Sequence, residues 1–411
     1  MHPSTWRIAW RNLGRNKRRT GLALLAIAVG QFALLATNGI MRGYVDNIRL
    51  AITGPMVGHV QVHAPEWREE RALDLVISNV DEAAAAIRQD PAVLNAGARI
   101  YAPVLVAPEQ DAYAAVVVGV DADVESQEFG LLSGLDAPLE DGAVLIGYLL
   151  ARRIGAEPGQ EIAVVGQGAD GSIANDLYTI RDIIKSPADI VNQTGIVMTM
   201  ADAQYLLVMP GQAHEIVVRT TESGQAEALA ARLAELPALA GTEVVDWKQI
   251  VPEIVLILDM VDYVGYFVLV LVLIAAVAGI ANTLMMSTFE RMHEFGMLLA
   301  LGSRPSRIVH MIMIEAVLIG LLGVLVGTFL GYGFEFVTSG TGIDMASWGG
   351  SGAEVEDLAF KGLNLPLHIF PRLEYSDSVL GLVAVTITSL LAAIWPATIA
   401  GRLEPMEAMR A

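Results

Sequence analysis

The chain has 411 residues, a formal net charge of −19, 54% hydrophobic residues, only 17% charged residues and no cysteine. A soluble globular chain carries about a quarter charged residues, so surface charge is short for this length; the absence of cysteine excludes a disulfide framework and thiolate metal sites and leaves the redox compartment open. The charge is uneven, at +6 over residues 1–41, −18 over 42–254 and −7 over 255–411, which excludes a simple soluble domain and, through the acidic balance, a nucleic-acid partner, whose phosphates need a basic surface.

Residues 1–20 open the chain. At 100° per residue Trp6, Ala9, Trp10 and Leu13 gather on one side, with Arg7, Arg11 and Arg15 opposite or flanking. This pattern predicts an amphipathic cytoplasmic helix lying on membrane lipid, with tryptophans at headgroup depth; plain topogenic charge accounts for the same residues. Gly21–Met41 follows as 21 residues without a charge, about 31 Å of helix, which matches the hydrocarbon core. The stretch exceeds the apolar region of a signal peptide and no A-x-A-like site follows it. It reads as a retained first span (residues 21–41).

Residues 42–254 are long enough to bury a core of their own. Val57–His63 alternates as a strand does, and Val116–Val120, Val144–Gly147, Glu161–Val165 and Ile196–Met200 are apolar runs of strand length. Helix-like stretches lie between them at Val80–Gln89, Ala201–Val208 and Gln225–Leu236. The mixture predicts an α+β domain, in one or two subdomains. His59 and His63 share a face if their segment is a strand, but no second ligand pair accompanies them, and a solvated edge explains them better than a metal. Met198, Met200 and Met209 near His214 read as core filler rather than a copper site. No G-x-x-x-x-G-K-[ST] motif occurs, so a nucleotide that drives this protein would bind another chain.

Three more apolar stretches close the sequence. Tyr263–Phe289 is 27 residues without a charge, within a second span at 255–289; Ile308–Phe334 is another 27, interrupted by His310 and Glu315; Ser378–Gly401 is 24 uncharged residues. Buried helices of a soluble protein rarely run so long without capping signals. Lys/Arg bias orients the four spans. Six basic residues precede span one; Arg291, Arg304 and Arg307 lie in the 290–307 connection; the 335–377 loop is acidic; Arg402 and Arg410 lie in the 402–411 tail. Both ends and the connection are thus expected inside, with residues 42–254 forming one large extracytoplasmic domain.

Within the membrane part, Glu290–Gly302 begins with charges and spaces Phe289, Met292 and Phe295 three apart. A docking knob for a partner groove and a capped helical turn at the membrane surface both fit. Glu315 is an intramembrane carboxylate, costly unless it faces protein or water. Hydrogen bonds from the cytoplasmic connection, a structural role, explain it better than a proton relay, for which only His310 is near. Gly323, Gly327 and Gly331 recur every four residues, with Gly320 on a neighbouring face. They allow close helix contact, within the subunit or across a dimer. Gln31, Asn38 and Asn282 are available for interhelical hydrogen bonds.

Three segments carry a family resemblance: Trp10–Gly30 (WRNLGRNKRRTGLALLAIAVG), Asn282–Gly302 with Glu315 and the glycines after it, and Pro396–Arg410 (PATIAGRLEPMEAMR). Together they resemble the FtsX-like ABC-transporter permeases, and four spans with a large domain after the first resemble the MacB and LolC/LolE branch. The resemblance continues more weakly in Val57–His63 and Ile196–Arg219. It implies an α-helical membrane protein with four transmembrane helices and a large α+β domain of the MacB-like periplasmic core type, in the bacterial inner membrane. It implies that Glu290–Gly302 is a coupling helix gripping a separate ATP-binding subunit through Glu290, Arg291, Glu294 and Phe295, with Gly302 at its end. It implies a second permease subunit, identical or sibling, and ATP and Mg bound by the partner ATPase, with no cofactor and no catalysis on this chain. The implied work is extraction or movement of a lipoprotein or other membrane-derived substrate; mechanotransmission to a periplasmic cell-wall hydrolase and drug or peptide efflux are the alternatives. Leu299 stands where the family often has a basic residue before Ala-Leu-Gly.

Overall fold

The computed structural model describes residues 17–108, 111–133, 135, 138–186, 188–221, 223–344, 358–360, 363–365 and 368–402. The expected interfacial helix Trp6–Arg15 and tail residues 403–411 lie outside them. The chain divides into two compact units, one of Met1–Val45, Ile257–Gly349 and His368–Ala411, the other of Asp46–Leu256 and Gly350–Leu367.

The first unit is built on four long apolar helices, Lys17–Ala51, Pro252–Glu290, Pro305–Thr341 and Tyr375–Gly401. Each is long and apolar enough to cross a membrane. The uncharged stretches lie within longer helices, because helix propensity does not stop where the hydrocarbon does. The first continues through Arg42, Asp46 and Arg49 to 35 residues, and the second starts at Pro252 and reaches 39. Pro305 stands in the first turn of the third, where its missing N–H costs nothing. A reciprocal capping box between Glu374 and Asp377 starts the fourth. Ile27, Ile280, Phe295, Ile312, Ala316 and Ala393 are among the side chains that form the apolar cluster of this unit.

The second unit is an α/β domain on nine strands: β1 (Val60–His63), β2 (Val93–Ala107), β3 (Tyr113–Val120), β4 (Ala143–Gly147), β5 (Glu161–Gln167), β6 (Ile173–Ile184), β7 (Gly195–Thr199), β8 (Glu215–Thr220) and β9 (Glu243–Asp246). Their order is β3-β7-β4-β6-β5-β2-β8-β1-β9, and β3 also pairs with β2. That extra pairing closes β2, β3, β7, β4, β6 and β5 into a six-membered ring. The 15-residue strand β2 makes this possible, since one edge takes β3 along Arg99–Val106 and the other takes β8 first and then β5. Val118, Val120, Leu145, Val191 and Val197 are part of one apolar cluster of the domain. The five strand-length runs and three helical stretches read from the sequence all fall on elements of matching type. The long strands β2 and β6 were not foreseen, because Gly, Pro, Asn and Asp interrupt their alternation.

Candidate functional site

The connection between the second and third long helices forms a helix, Met292–Ala300. Three ion pairs involve its entry: Arg19 of the first helix meets Glu290 at 2.7 Å, while Arg291 reaches Glu294 at 3.4 Å and Glu315 at 3.2 Å. Arg291 also lies over the Phe295 ring, 4.9 Å from its centroid. Glu315 is thus partnered by the connection rather than by His310, whose Nδ1 faces Ser306 O. Of the residues expected to meet a partner, Phe295 is 1% exposed and inside the helix cluster. The exposed apolar residues here are instead Met297, Leu298 and Leu301, the last 84% exposed. Gly302 follows at φ +86°, a left-handed conformation that favours glycine and lets the chain turn into the third helix.

The glycine series faces span one of the same chain. A Cβ on Gly323 would lie 2.7 Å from Ile27, on Gly327 2.5 Å from the Ala28 carbonyl oxygen, and on Gly331 2.7 Å from Leu35. Of the two contacts left open by the sequence, the structure provides the one inside the subunit. Gln31 inserts between Gly327 and Gly381 and donates to Thr328 at 3.4 Å. At the other end of this unit, Arg42 and Asn38 donate to Asp377, at 2.5 Å and 3.3 Å, so the carboxylate that caps the fourth helix also ties it to the first.

In the α/β domain the first long helix gives way to a π-helical turn, Ile52–Met56. Three successive carbonyls of that turn are held by two buried arginines. Arg219 Nε donates to Gly54 O at 2.8 Å, Arg99 Nη2 to Pro55 O at 2.7 Å, and Arg99 Nη1 to Met56 O. Strand register puts both guanidiniums on one face of the β2–β8 pair, with Asn95 opposite Arg219 and Glu215 opposite Arg99. Glu125, fully buried, sits between them: Oε1 accepts from Arg99 and Oε2 from Arg219, both at 2.8 Å, and Oε2 also from the Leu131 N–H at 2.7 Å. Burial opposes its ionisation, yet the two guanidiniums and that N–H hold its carboxyl below the usual range. A π-turn leaves carbonyls without helical partners, and forked donors satisfy them.

Sequence reading missed this clamp. Its signal was a basic residue at inward positions of apolar alternating runs (Arg99 after NAGA, Arg219 after EIVV) in a domain otherwise rich in acids. His59 and His63 have structural partners: His59 Nδ1 accepts from Thr220 N at 3.3 Å, and His63 Nδ1 lies 3.0 Å from Ala64 O. His214 accepts from Tyr101 N at 3.0 Å and stacks on Trp67. Met198 and Met209 are fully buried. Burial, with Arg219 and Arg49 nearby, lowers the His59 pKa to about 4.

Comparison with known proteins follows the same division. Residues 20–236 match the family described as the MacB-like periplasmic core domain, and residues 266–405 match the FtsX-like permease C-terminal family. The permease YtrF of Bacillus subtilis is 31% identical over 103 residues, covering 25% of this chain and 23% of YtrF. The macrolide export ATP-binding/permease protein MacB of Hahella chejuensis is 23% identical, covering 98% of this chain and 59% of MacB. The lipoprotein-releasing system transmembrane protein LolC of Xylella fastidiosa is 22% identical, covering 96% of each chain. The chain thus spans less than two thirds of the first two relatives and nearly the whole of the third. With a match over more than half its length, the chain belongs to the MacB-like periplasmic core domain family, and residues 266–405 add a match to the FtsX-like permease C-terminal family.

Proposed function

We propose that this chain is the non-catalytic permease subunit of an inner-membrane ABC transporter. A separate ATPase, which binds ATP and Mg, docks on the Met292–Ala300 helix and drives a mechanical rearrangement of the outside domain. Two permease subunits pair, and both chain ends and the connection face the cytoplasm, in keeping with the basic residues there and the acidic balance of residues 42–254. The substrate is a lipoprotein or another molecule taken from the membrane. Extraction is demanding, because each buried acyl CH₂ is worth about 0.8 kcal/mol, and a lever powered from the other side of the membrane answers that demand.

The observation that carries this reading is the pinned connection. Glu290 and Arg291 are tied to the first and third long helices, while Met297, Leu298 and Leu301 remain exposed. A helix fixed at its base with an apolar edge outward transmits force when a partner grips it. The docking role therefore falls to the exposed apolar edge with Glu294 beside it, and Phe295 supports that edge from within. Co-purification with an ATP-binding subunit from the native cells tests the reading: Leu298→Asp and Leu301→Asp lose that subunit while the permease stays folded. Undiminished capture by both variants overturns it.

A further inference from the structure

The α/β domain contains a cleft of about 430 Å³ with no part in the coupling described above. Pro55 and Met56 of the clamped turn line it, together with Val116, Leu131 and other apolar side chains. Its size lies in the range of sites for small organic ligands. It far exceeds the voids that close packing leaves inside a domain.

The polar groups gather at one place in the lining. Glu215, 3% exposed, accepts from the Tyr101 hydroxyl through Oε1 at 2.9 Å. Among the described residues no other side chain or backbone N–H donates to this carboxylate. Its second oxygen therefore meets only the cleft, and a carboxylate there is poorly solvated unless something in the cleft donates to it. Burial pushes the Glu215 carboxyl up from its usual range, as that poor solvation requires. Beside it Arg71 lies over the Trp67 ring, 4.2 Å from the centroid. Arg71 and Glu66, the residues flanking the short Trp67–Glu70 helix, both have left-handed backbones, at φ +53° and +67°. Strain of this kind persists where the surroundings over-determine a position, and it gathers at ligand sites.

Charge selects the ligand. Arg71, Arg99 and Arg219 outnumber Glu125 and Glu215, so a cation would add to a positive surplus, while an anion would meet the acceptor face of Glu215. A neutral donor satisfies the open oxygen without either penalty. We propose that this cleft binds a small neutral apolar molecule carrying one hydroxyl or amide donor, its body against Met56, Val116 and Leu131 and its donor on Glu215. Such an occupant touches the turn whose carbonyls Arg99 and Arg219 hold, so it is sensed where the first helix enters the domain.

Photolabelling of the full chain in lipid nanodiscs with 4-(hydroxymethyl)benzophenone, followed by peptide mapping, tests this without the ATPase or a transport substrate, so its outcome is separate from that of the transporter reading. The expected result is saturable labelling at Met56 or Val116. Val116→Phe, which narrows the cleft, weakens that labelling, and Glu215→Leu, which removes the acceptor, raises the half-saturating concentration at least tenfold. Labelling of the long apolar helices is the internal control, unchanged in both variants. Wild-type protein without saturable labelling at the cleft, or equal labelling in the narrowed variant, overturns the proposal.

Discussion

Arg219 and Arg99 share one carboxylate, each donating at 2.8 Å to a different oxygen of Glu125, and their remaining N–H groups hold the carbonyls of Gly54, Pro55 and Met56. The two strands that carry them are neighbours, so the turn at the end of the first long helix is fastened across two strands rather than to one. A hydrophobic contact is non-directional and slides; forked, charge-assisted hydrogen bonds to three successive carbonyls fix both position and orientation. The end of the helix is thereby held in register with β2 and β8.

Removal of Glu125 should therefore cost more than a cavity. Glu125→Ala leaves two guanidiniums buried without their counter-charge, and breaking such a pair costs about 3–5 kcal/mol. A marked fall in the thermal midpoint of the α/β domain, followed in the full-length protein by protease protection of residues 46–256, is expected. Arg219→Lys keeps the charge but lacks the fork, so it should lose less. An alanine variant as stable as the parent would show that the clamp holds nothing.

His59 supplies a pH test with a definite sign. Its pKa falls from 6.5 to about 4 on folding, so between those values the unfolded chain takes up a proton that the folded chain refuses. Stability from this residue is fully present above pH 6.5 and declines as pH falls towards 4, by up to about 3 kcal/mol. Glu215, with a raised pKa, pulls the other way, so the comparison must be between variants. His59→Asn keeps an acceptor for Thr220 N, and it should lose less stability than the parent between pH 7 and 4.5. Parallel curves for the two proteins would contradict the neutral, half-buried assignment.

Much of this was legible in the sequence, and the losses have physical causes. Four spans stand out because hydrocarbon demands about 20 apolar residues in a row, a signal that soluble elements rarely imitate. Short strands such as β4 and β7 show because both faces are buried and the run is unbroken. The strand β2 hides because Asn95, Gly97 and Pro103 interrupt it, and Gly97 is small for a reason visible only in three dimensions: its missing Cβ leaves room for Val124, 3.0 Å from where that atom would be. The three-residue spacing of Phe289, Met292 and Phe295 leaves a docking edge and a capped turn equally open, because spacing gives only relative faces, and which face is buried depends on helices far away in sequence.

Glycine substitutions in the third helix should follow what each Cβ would strike. On Gly327 it meets backbone, the Ala28 carbonyl oxygen, whereas on Gly331 it meets the Leu35 side chain. Side chains move and backbone does not, so Gly327→Ala should cost about 1–3 kcal/mol by overpacking and Gly331→Ala less. Unfolding in mixed micelles ranks the two, and the reverse order would mean that the series packs against something other than span one.

The Arg291–Glu315 pair allows a stricter test of whether it serves stability or only fixes the connection. Each partner is almost fully enclosed, so Glu315→Leu alone leaves a guanidinium inside the helix cluster with Glu294 at 3.4 Å and the Phe295 ring to answer it. Buried ion pairs replaced together by apolar residues of similar volume are often neutral or better, while single replacements cost about 3–5 kcal/mol. Arg291→Met with Glu315→Leu should therefore recover most of the stability that Glu315→Leu loses. If the pair also sets the angle of the Met292–Ala300 helix, the stable double variant will still bind the ATPase poorly. Recovery of stability and ATPase binding together would reduce the pair to an exchangeable packing feature, and the angle of the connection would then have to come from Arg19 and Glu290.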